Sequence, residues 1–194
     1  VRNPLKDDPL LRAEKPRWWR DKSRKASKGQ RKTIRELESE GYVFRRPKYG
    51  AMIDWNELFK TEPNEELDIW WEIGFGYGDN LLRLSEQYAS NSKMKFFGNE
   101  IHEPGLGTTS KRLQQGLNNQ RHWRDYTLLP EVSDVEMVDC KPYRNLRLSG
   151  GDAIKMLGNI PAKSLANVSI TNPDPFPHAQ RFRIIQLHSL KMFW

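Results

Sequence analysis

An apolar run, Leu67 to Trp71, leads through Glu72 and Ile73 into glycines at alternate positions, Gly74, Gly76 and Gly78. An amphipathic stretch, Asn80 to Tyr88, follows at once. That order spells a strand, a glycine turn and a helix, and it commits the chain to packing helices on a sheet. The rest of the sequence keeps the rhythm. Strands are expected at Lys95 to Glu100, Asn145 to Leu148 and Ala166 to Ile170. Helices are expected from Pro104 to Gln115, in a short piece after Asp152, and from Arg181 to the end. Alternation of this kind predicts an α/β fold with a mainly parallel sheet. Residues 117–144 are polar, hold Trp123 and two prolines, and look like an insertion.

The turn also constrains the ligand. Glycines remove the Cβ atoms that would keep a ligand off the backbone. A dinucleotide site would want Gly-x-Gly-x-x-Gly with a pyrophosphate at a helix N-terminus. Here the spacing differs, and Glu72 would repel a pyrophosphate. The ligand expected is one that carries positive charge, and S-adenosylmethionine, with its free amine and sulfonium, is such a molecule.

In an open α/β sheet, ligands sit beyond the carboxyl ends of the strands. Four acidic residues fall there: Glu72 near the end of the first core strand, Glu100 at the end of the second, Asp152 after the third and Asp174 after the fourth. A carboxylate after the second strand suits the two ribose hydroxyls of an adenosine, because two donors match two oxygens. Asp152 would accept from the adenine amine, and Glu72 would act by charge on the methionine end. Asp174 lies in Asn172-Pro173-Asp174-Pro175-Phe176-Pro177, where three prolines fix φ and present it rigidly toward the chemistry.

The charge is unevenly placed. The 194 residues hold 32 Lys/Arg against 25 Asp/Glu, a net of +7. Residues 1–50 alone hold 16 Lys/Arg against 7 Asp/Glu, a net of +9, which leaves the remainder slightly acidic. The expected organisation is therefore a basic, largely disordered arm over 1–50 and a sheet domain over 51–194, with the insertion at about 117–144. Within the arm a short helix is expected from Thr33 to Glu40, with Thr33 as cap and Glu36 three residues on. Residues 41–66 read as irregular, with Trp55 and Phe59 packed on the domain. Such an arm fits a polyanion such as RNA. Arg45, Arg46 and Lys48 are the candidate phosphate ligands, with Trp18, Trp19 and Tyr49 as aromatic neighbours and Lys111 and Arg112 nearer the mouth. No apolar run long enough to span a membrane and no secretory leader is evident, so an intracellular protein is expected. Cys140 is the single cysteine and the four histidines, including His102, are scattered, so no metal site is expected.

Four segments together carry a resemblance: Glu72-Ile73-Gly74-Phe75-Gly76-Tyr77-Gly78, then Gly98-Asn99-Glu100-Ile101-His102-Glu103-Pro104-Gly105-Leu106-Gly107, then Gly151-Asp152-Ala153, then Pro173-Asp174-Pro175. Over roughly residues 67–186 the chain resembles the tRNA (guanine-N7-)-methyltransferases, and the middle segment is the most specific of the four. The resemblance implies a Rossmann-like class I methyltransferase sandwich, S-adenosylmethionine as cofactor, and tRNA as partner, methylated on a variable-loop guanine. It implies cofactor contacts at Glu72, Gly74, Gly76, Gly78, Glu100, Ile101, Asp152 and Ala153, and places Asp174 at both cofactor and target base. His178, Arg181 and Arg183 stand where the family has basic residues that reach the tRNA, although the expected lysine is absent. The family continues with further strands after the last helix, so the last strands are expected to be missing here. A truncated paralogue acting only in RNA or cofactor binding is the first alternative, and a partner subunit is a further expectation left open. Asn172, where the family has an aromatic residue, leaves an amino-group methyltransferase as another.

Overall fold

The computed structural model describes residues 25–48, 50–118 and 143–170. The first 24 residues, Tyr49, most of the expected insertion, and the proline loop with the expected last helix lie outside the described residues. Among the described residues five strands form one sheet: β1 (Val43–Phe44), β2 (Asp68–Ile73), β3 (Met94–Glu100), β4 (Leu146–Gly150) and β5 (Asn167–Ile170). Their spatial order is β1-β4-β3-β2-β5 and every pairing is parallel. The chain thus winds outward from β2 through β3 to β4 and returns on the other side of β2. That reversal opens a crevice beyond the carboxyl ends of β2 and β5.

The expected α/β class holds, and each expected core strand lies within two residues of its observed bounds at either end. Among the described residues five helices flank the sheet: α1 (Lys28–Glu40), α2 (Trp55–Phe59), α3 (Asp79–Gln87), α4 (Glu103–Asn118) and α5 (Ala153–Leu157). One layer is α1, α3 and α4. Leu37, Leu81, Leu82, Leu106 and Leu113 from these helices meet Phe96, Leu146 and Leu148 of the sheet, all buried. The other layer is α2 and α5, where Trp55, Phe59, Ile154 and Met156 cover Ile69, Trp71, Ile73 and Phe97. The packing of Trp55 and Phe59 on the domain is as expected. Burial on both faces explains the adjacent apolar pairs Trp70-Trp71 in β2 and Phe96-Phe97 in β3, where strict alternation would set a polar residue next to each.

Two expectations change. The described part of the expected arm, residues 25–48, is built into the sheet. Its helix starts at Lys28, not Thr33, because Ser27 and Gln30 form the capping box: the Gln30 N–H donates to the Ser27 hydroxyl at 3.2 Å and the Ser27 N–H to the Gln30 side chain at 2.8 Å. Thr33 is instead buried against α4. Residues 41–66 are not irregular throughout. Val43 and Phe44 add an edge strand to β4, and Asp54 caps α2 by accepting from the Glu57 N–H at 3.1 Å.

At the opposite end of the sheet Arg147 is buried. Its guanidinium lies over the rings of Tyr42 and Phe59 and donates to the carbonyls of Leu58, Arg144 and Leu146. Burial pulls its pKa down to about 10. It ties α2 to the start of β4 and leaves the carboxyl end of the sheet to the site.

Candidate functional site

Three loops meet at the carboxyl end of the sheet: the glycine turn after β2, the segment Ile101-His102 after β3, and Gly151-Asp152 after β4. Register sets them side by side. Glu72 pairs with Gly98, Ile73 with Asn99, and Glu100 with Gly150.

Glu100 is the centre. Its side chain is 5% exposed, and each carboxylate oxygen accepts one backbone N–H at 2.7 Å, from Gly76 on one side and His102 on the other. Each oxygen keeps a further lone pair for a ligand donor. Charge-assisted bonds of this kind hold an anion in a fixed orientation. His102 fixes the loop after β3 through its main chain: its N–H donates to Glu100 and its carbonyl accepts from the Leu106 N–H.

The glycines have separate reasons. Gly76 has φ +59° and a Cβ built there would meet nothing within 4 Å, so it opens a cradle beside Glu100. Gly78 precedes α3 at φ +76°, and its Cβ would meet Thr109 Cγ2 at 2.4 Å, so its bareness serves both the left-handed turn and the packing of α4. Gly74 also has positive φ, and its N–H donates to the Asn99 carbonyl at 2.8 Å.

Glu72 is 1% exposed and accepts from the Asn80 side chain at 3.1 Å, pinning the first turn of α3. Its carboxylate is thus beneath the turn rather than at its surface, and Asn80 is a neighbour that the sequence pattern did not single out. Asp152 is 7% exposed and caps α5, accepting from the Ile154 N–H at 2.9 Å. Ala153 is buried beside it, and Ile101 is half-buried between Glu100 and His102. Around Gly151, at φ +112°, a Cβ would again meet nothing within 4 Å. A bare cradle with a fixed carboxylate at its edge and an N-capped helix next to it fits the adenosine end of a nucleoside ligand.

The expected basic residues divide. Arg45 and Arg46 follow β1, whose register with β4 sets them on the same rim as Gly150 and Glu100. Arg45 forms a two-bond pair with Glu38, both contacts at 2.8 Å. Arg46 reaches the Asn159 side chain and the Lys155 carbonyl. Asn159, fully buried, also donates to the carbonyls of Lys48 and Ala51, and its own carbonyl accepts from the Ile53 N–H; nothing in its local pattern marks it. The Lys48 side chain is exposed. Arg112 is tied to Asp79 and to the Tyr77 carbonyl at the mouth, while Lys111 is exposed. Asp174, His178, Arg181 and Arg183 lie outside the described residues, as do Trp18, Trp19 and Cys140. Among the described residues no group of three His, Cys, Asp or Glu side chains gathers as a metal site, and no helix is long and apolar enough to cross a membrane.

A family model described as putative methyltransferase matches residues 67–194. A tRNA (guanine-N(7)-)-methyltransferase of Yersinia pseudotuberculosis is 32% identical over 140 residues, which cover 70% of this chain and 45% of that protein. The protein of the same description from Hydrogenovibrio crunogenus is 30% identical, over 72% of this chain and 48% of its own length. That from Methylobacillus flagellatus is 29% identical, over 77% and 51%. The chain spans about half the length of the curated relatives it matches.

Proposed function

This chain belongs to the putative methyltransferase family, and from that premise we propose that it serves S-adenosylmethionine-dependent methylation of guanine N7 in the variable loop of tRNA. The observation that carries the reading is Glu100, fixed between the amides of Gly76 and His102 beside a cradle that any side chain at Gly76 would fill. In this reading Glu100 takes the two ribose hydroxyls. Gly74 and Gly76 let the methionine end lie on the backbone, while Gly78 keeps α4 close. Ile101 borders the adenosine, and Asp152 with Ala153 borders the adenine. Glu72 acts by its charge from beneath the turn. The relatives, described as tRNA (guanine-N(7)-)-methyltransferases, support the choice of base and RNA.

The bound sulfonium supplies an activated methyl group and its own leaving group. Guanine N7 bears a lone pair and no proton, so no residue is needed as a base there. The work left to the chain is alignment and charge. Holding two reactants in line supplies about 7–11 kcal/mol of the barrier, and an anion near the purine stabilises the positive charge that moves onto it. Asp174 takes that role, accepting from the guanine N1 or N2 donors. His178, Arg181 and Arg183, together with Arg45, Arg46 and Lys48 on the rim, hold phosphates.

The test is transfer from methyl-labelled S-adenosylmethionine to bulk tRNA, followed by nucleoside analysis. Label in N7-methylguanosine that disappears in Asp174→Ala is the expected result. Label at an exocyclic amine instead would favour the amino-group reading that Asn172 admits. Cofactor binding without transfer, beside a full-length relative that transfers, would favour a binding role alone.

A further inference from the structure

The turn that carries Glu100 is held from outside the sheet. Gln30, at the start of α1, packs its stem on Gly107, where a Cβ would meet Gln30 Cβ at 2.6 Å. Its amide nitrogen donates to the Pro104 carbonyl at 3.1 Å and to the Thr108 hydroxyl at 3.0 Å, while its oxygen accepts from the Ser27 N–H. One residue further out, the Ala26 N–H donates to the Glu103 carboxylate at 3.2 Å. The first turn of α4 is therefore gripped by α1. The inner side of the same turn touches the site: a Cβ at Gly105 would meet the Gly76 carbonyl at 2.8 Å and Glu100 Cγ at 3.3 Å, and the Thr109 hydroxyl donates to that same carbonyl at 3.3 Å. The two glycines of the His-Glu-Pro-Gly-Leu-Gly segment thus have different partners. Gly105 admits the glycine turn, and Gly107 admits Gln30.

We propose that Gln30 is a positioning residue for the cofactor pocket: it presses the 101–108 turn onto the glycine turn, so the helix at 28–40, and not the sheet alone, sets how firmly the adenosine end is held. The inference rests on the assignment of Glu100 to the ribose. Side-chain chemistry makes the position demanding. A glutamine amide meets two acceptors and one donor here, whereas a glutamate would turn an acceptor toward the Pro104 carbonyl and an alanine would leave all three partners. Preorganisation of a loop raises affinity by removing the cost of ordering it at binding.

Amide hydrogen exchange without ligand, calorimetric titration with S-adenosylmethionine, thermal melting and steady-state methyl transfer to tRNA, all on the whole chain, test it. Gln30→Ala should speed exchange over 101–108 and 74–78 by about tenfold through local opening and weaken cofactor binding by about tenfold. It should leave kcat at saturating cofactor and KM for tRNA within about twofold, a split expected of uniform binding loss. Gln30→Glu should fall in the same direction. Gln114→Ala is the control. It breaks the far end of the same helix seam, where Gln114 bonds Thr33 and Glu36, and should lower Tm without changing exchange at the two turns or cofactor affinity. The proposal is overturned if Gln30→Ala leaves exchange at 101–108 unchanged, if it loosens the turn without weakening binding, or if Gln114→Ala does the same to both. A wild-type chain that binds no S-adenosylmethionine would instead strike down the cofactor assignment, and the exchange comparison would still decide whether Gln30 holds the turn.

Discussion

The carboxylate of Glu100 and the N–H of Gly76 meet at 2.7 Å across a separation of 24 residues, joining the end of one strand to the turn after its neighbour. The bond orients the carboxylate before any ligand arrives. Glu100→Gln keeps the shape but sets an amide against the N–H of either Gly76 or His102 and removes the charge. S-adenosylmethionine affinity should fall by tenfold or more, about 1.4 kcal/mol for each factor of ten, with a smaller loss of Tm. Calorimetry on the variant checks this. Wild-type affinity in Glu100→Gln would remove Glu100 from the ribose.

Gly76 and Gly78 look alike in the sequence and should fail differently. Gly76→Ala places a methyl in open space at φ +59°. The left-handed backbone costs about 1–2 kcal/mol, and the methyl occupies the cradle, so cofactor binding should drop more than stability. Gly78→Ala, at φ +76°, bears the same left-handed cost and also drives a methyl to 2.4 Å from Thr109, so stability should fall by about 1–3 kcal/mol more from overpacking. Adding Thr109→Ser, which removes the nearest clashing atom, should recover only part of that loss, because the hydroxyl stays at 2.8 Å and the backbone strain remains. Urea unfolding of the three variants beside cofactor titration separates the two glycines; equal losses in both assays would refute the distinction.

Much of this was legible in the sequence, and the failures have a common cause. Strand and helix periods located β2 to β5, α3 and α4, because each buries its own apolar residues on the sheet and so carries its own pattern; α5, of five residues, is placed by the Asp152 before it. β1 has two residues, too few to show a period, and α2 has five. Both exist through tertiary partners: Val43 beside Leu148, and Phe59 under the Arg147 guanidinium. The basic composition of residues 1–50 suggested an arm, yet the contacts of α1 with α4 run through polar side chains such as Gln30, Thr33 and Gln114, which hydropathy does not reveal. Glu100 was visible as a strand-end acid. The burial of Glu72 under Asn80 depends on how the glycine turn folds back, and the bonds of Asn159 to Lys48 and Ala51 join residues far apart in the sequence.

Alkaline pH should probe the seam between α3 and the start of β4. Tyr143 is buried, and its hydroxyl donates to the Glu86 carboxylate. Burial first, and then the bond to Glu86, raise its pKa above the ordinary value of 10. Below pH 10 both folded and unfolded chains keep this proton, and the stabilisation is fully present. Above it the unfolded chain releases the proton while the folded chain retains it, so stability falls as pH rises and is lost through the folded pKa. Tyr143→Phe should be less stable than wild type at pH 8 by about 1 kcal/mol for the lost hydrogen bond, and the gap should close between pH 10 and 12. Chemical unfolding at a series of pH values measures it. A gap constant with pH would show that the phenol titrates no differently in the fold.

Arg45 offers a test of the RNA side of the site. It leaves the end of β1 level with Gly150, two strands from Glu100, which is roughly 10 Å at about 4.8 Å per strand. Its guanidinium is spread across the Glu38 carboxylate, so an incoming phosphate must compete with that anion. Glu38→Gln weakens the competitor and keeps its shape. Binding of tRNA at low salt should then tighten by about two- to fivefold, and the slope of log K against log salt should steepen by up to about 0.9 for the phosphate gained. Arg45→Ala added to Glu38→Gln should cancel both changes, whereas Arg45→Ala alone should do little because its charge is already matched. Fluorescence titration across a salt series reads both quantities. If Glu38→Gln alters neither affinity nor slope, Arg45 is a surface partner of α1 and takes no phosphate.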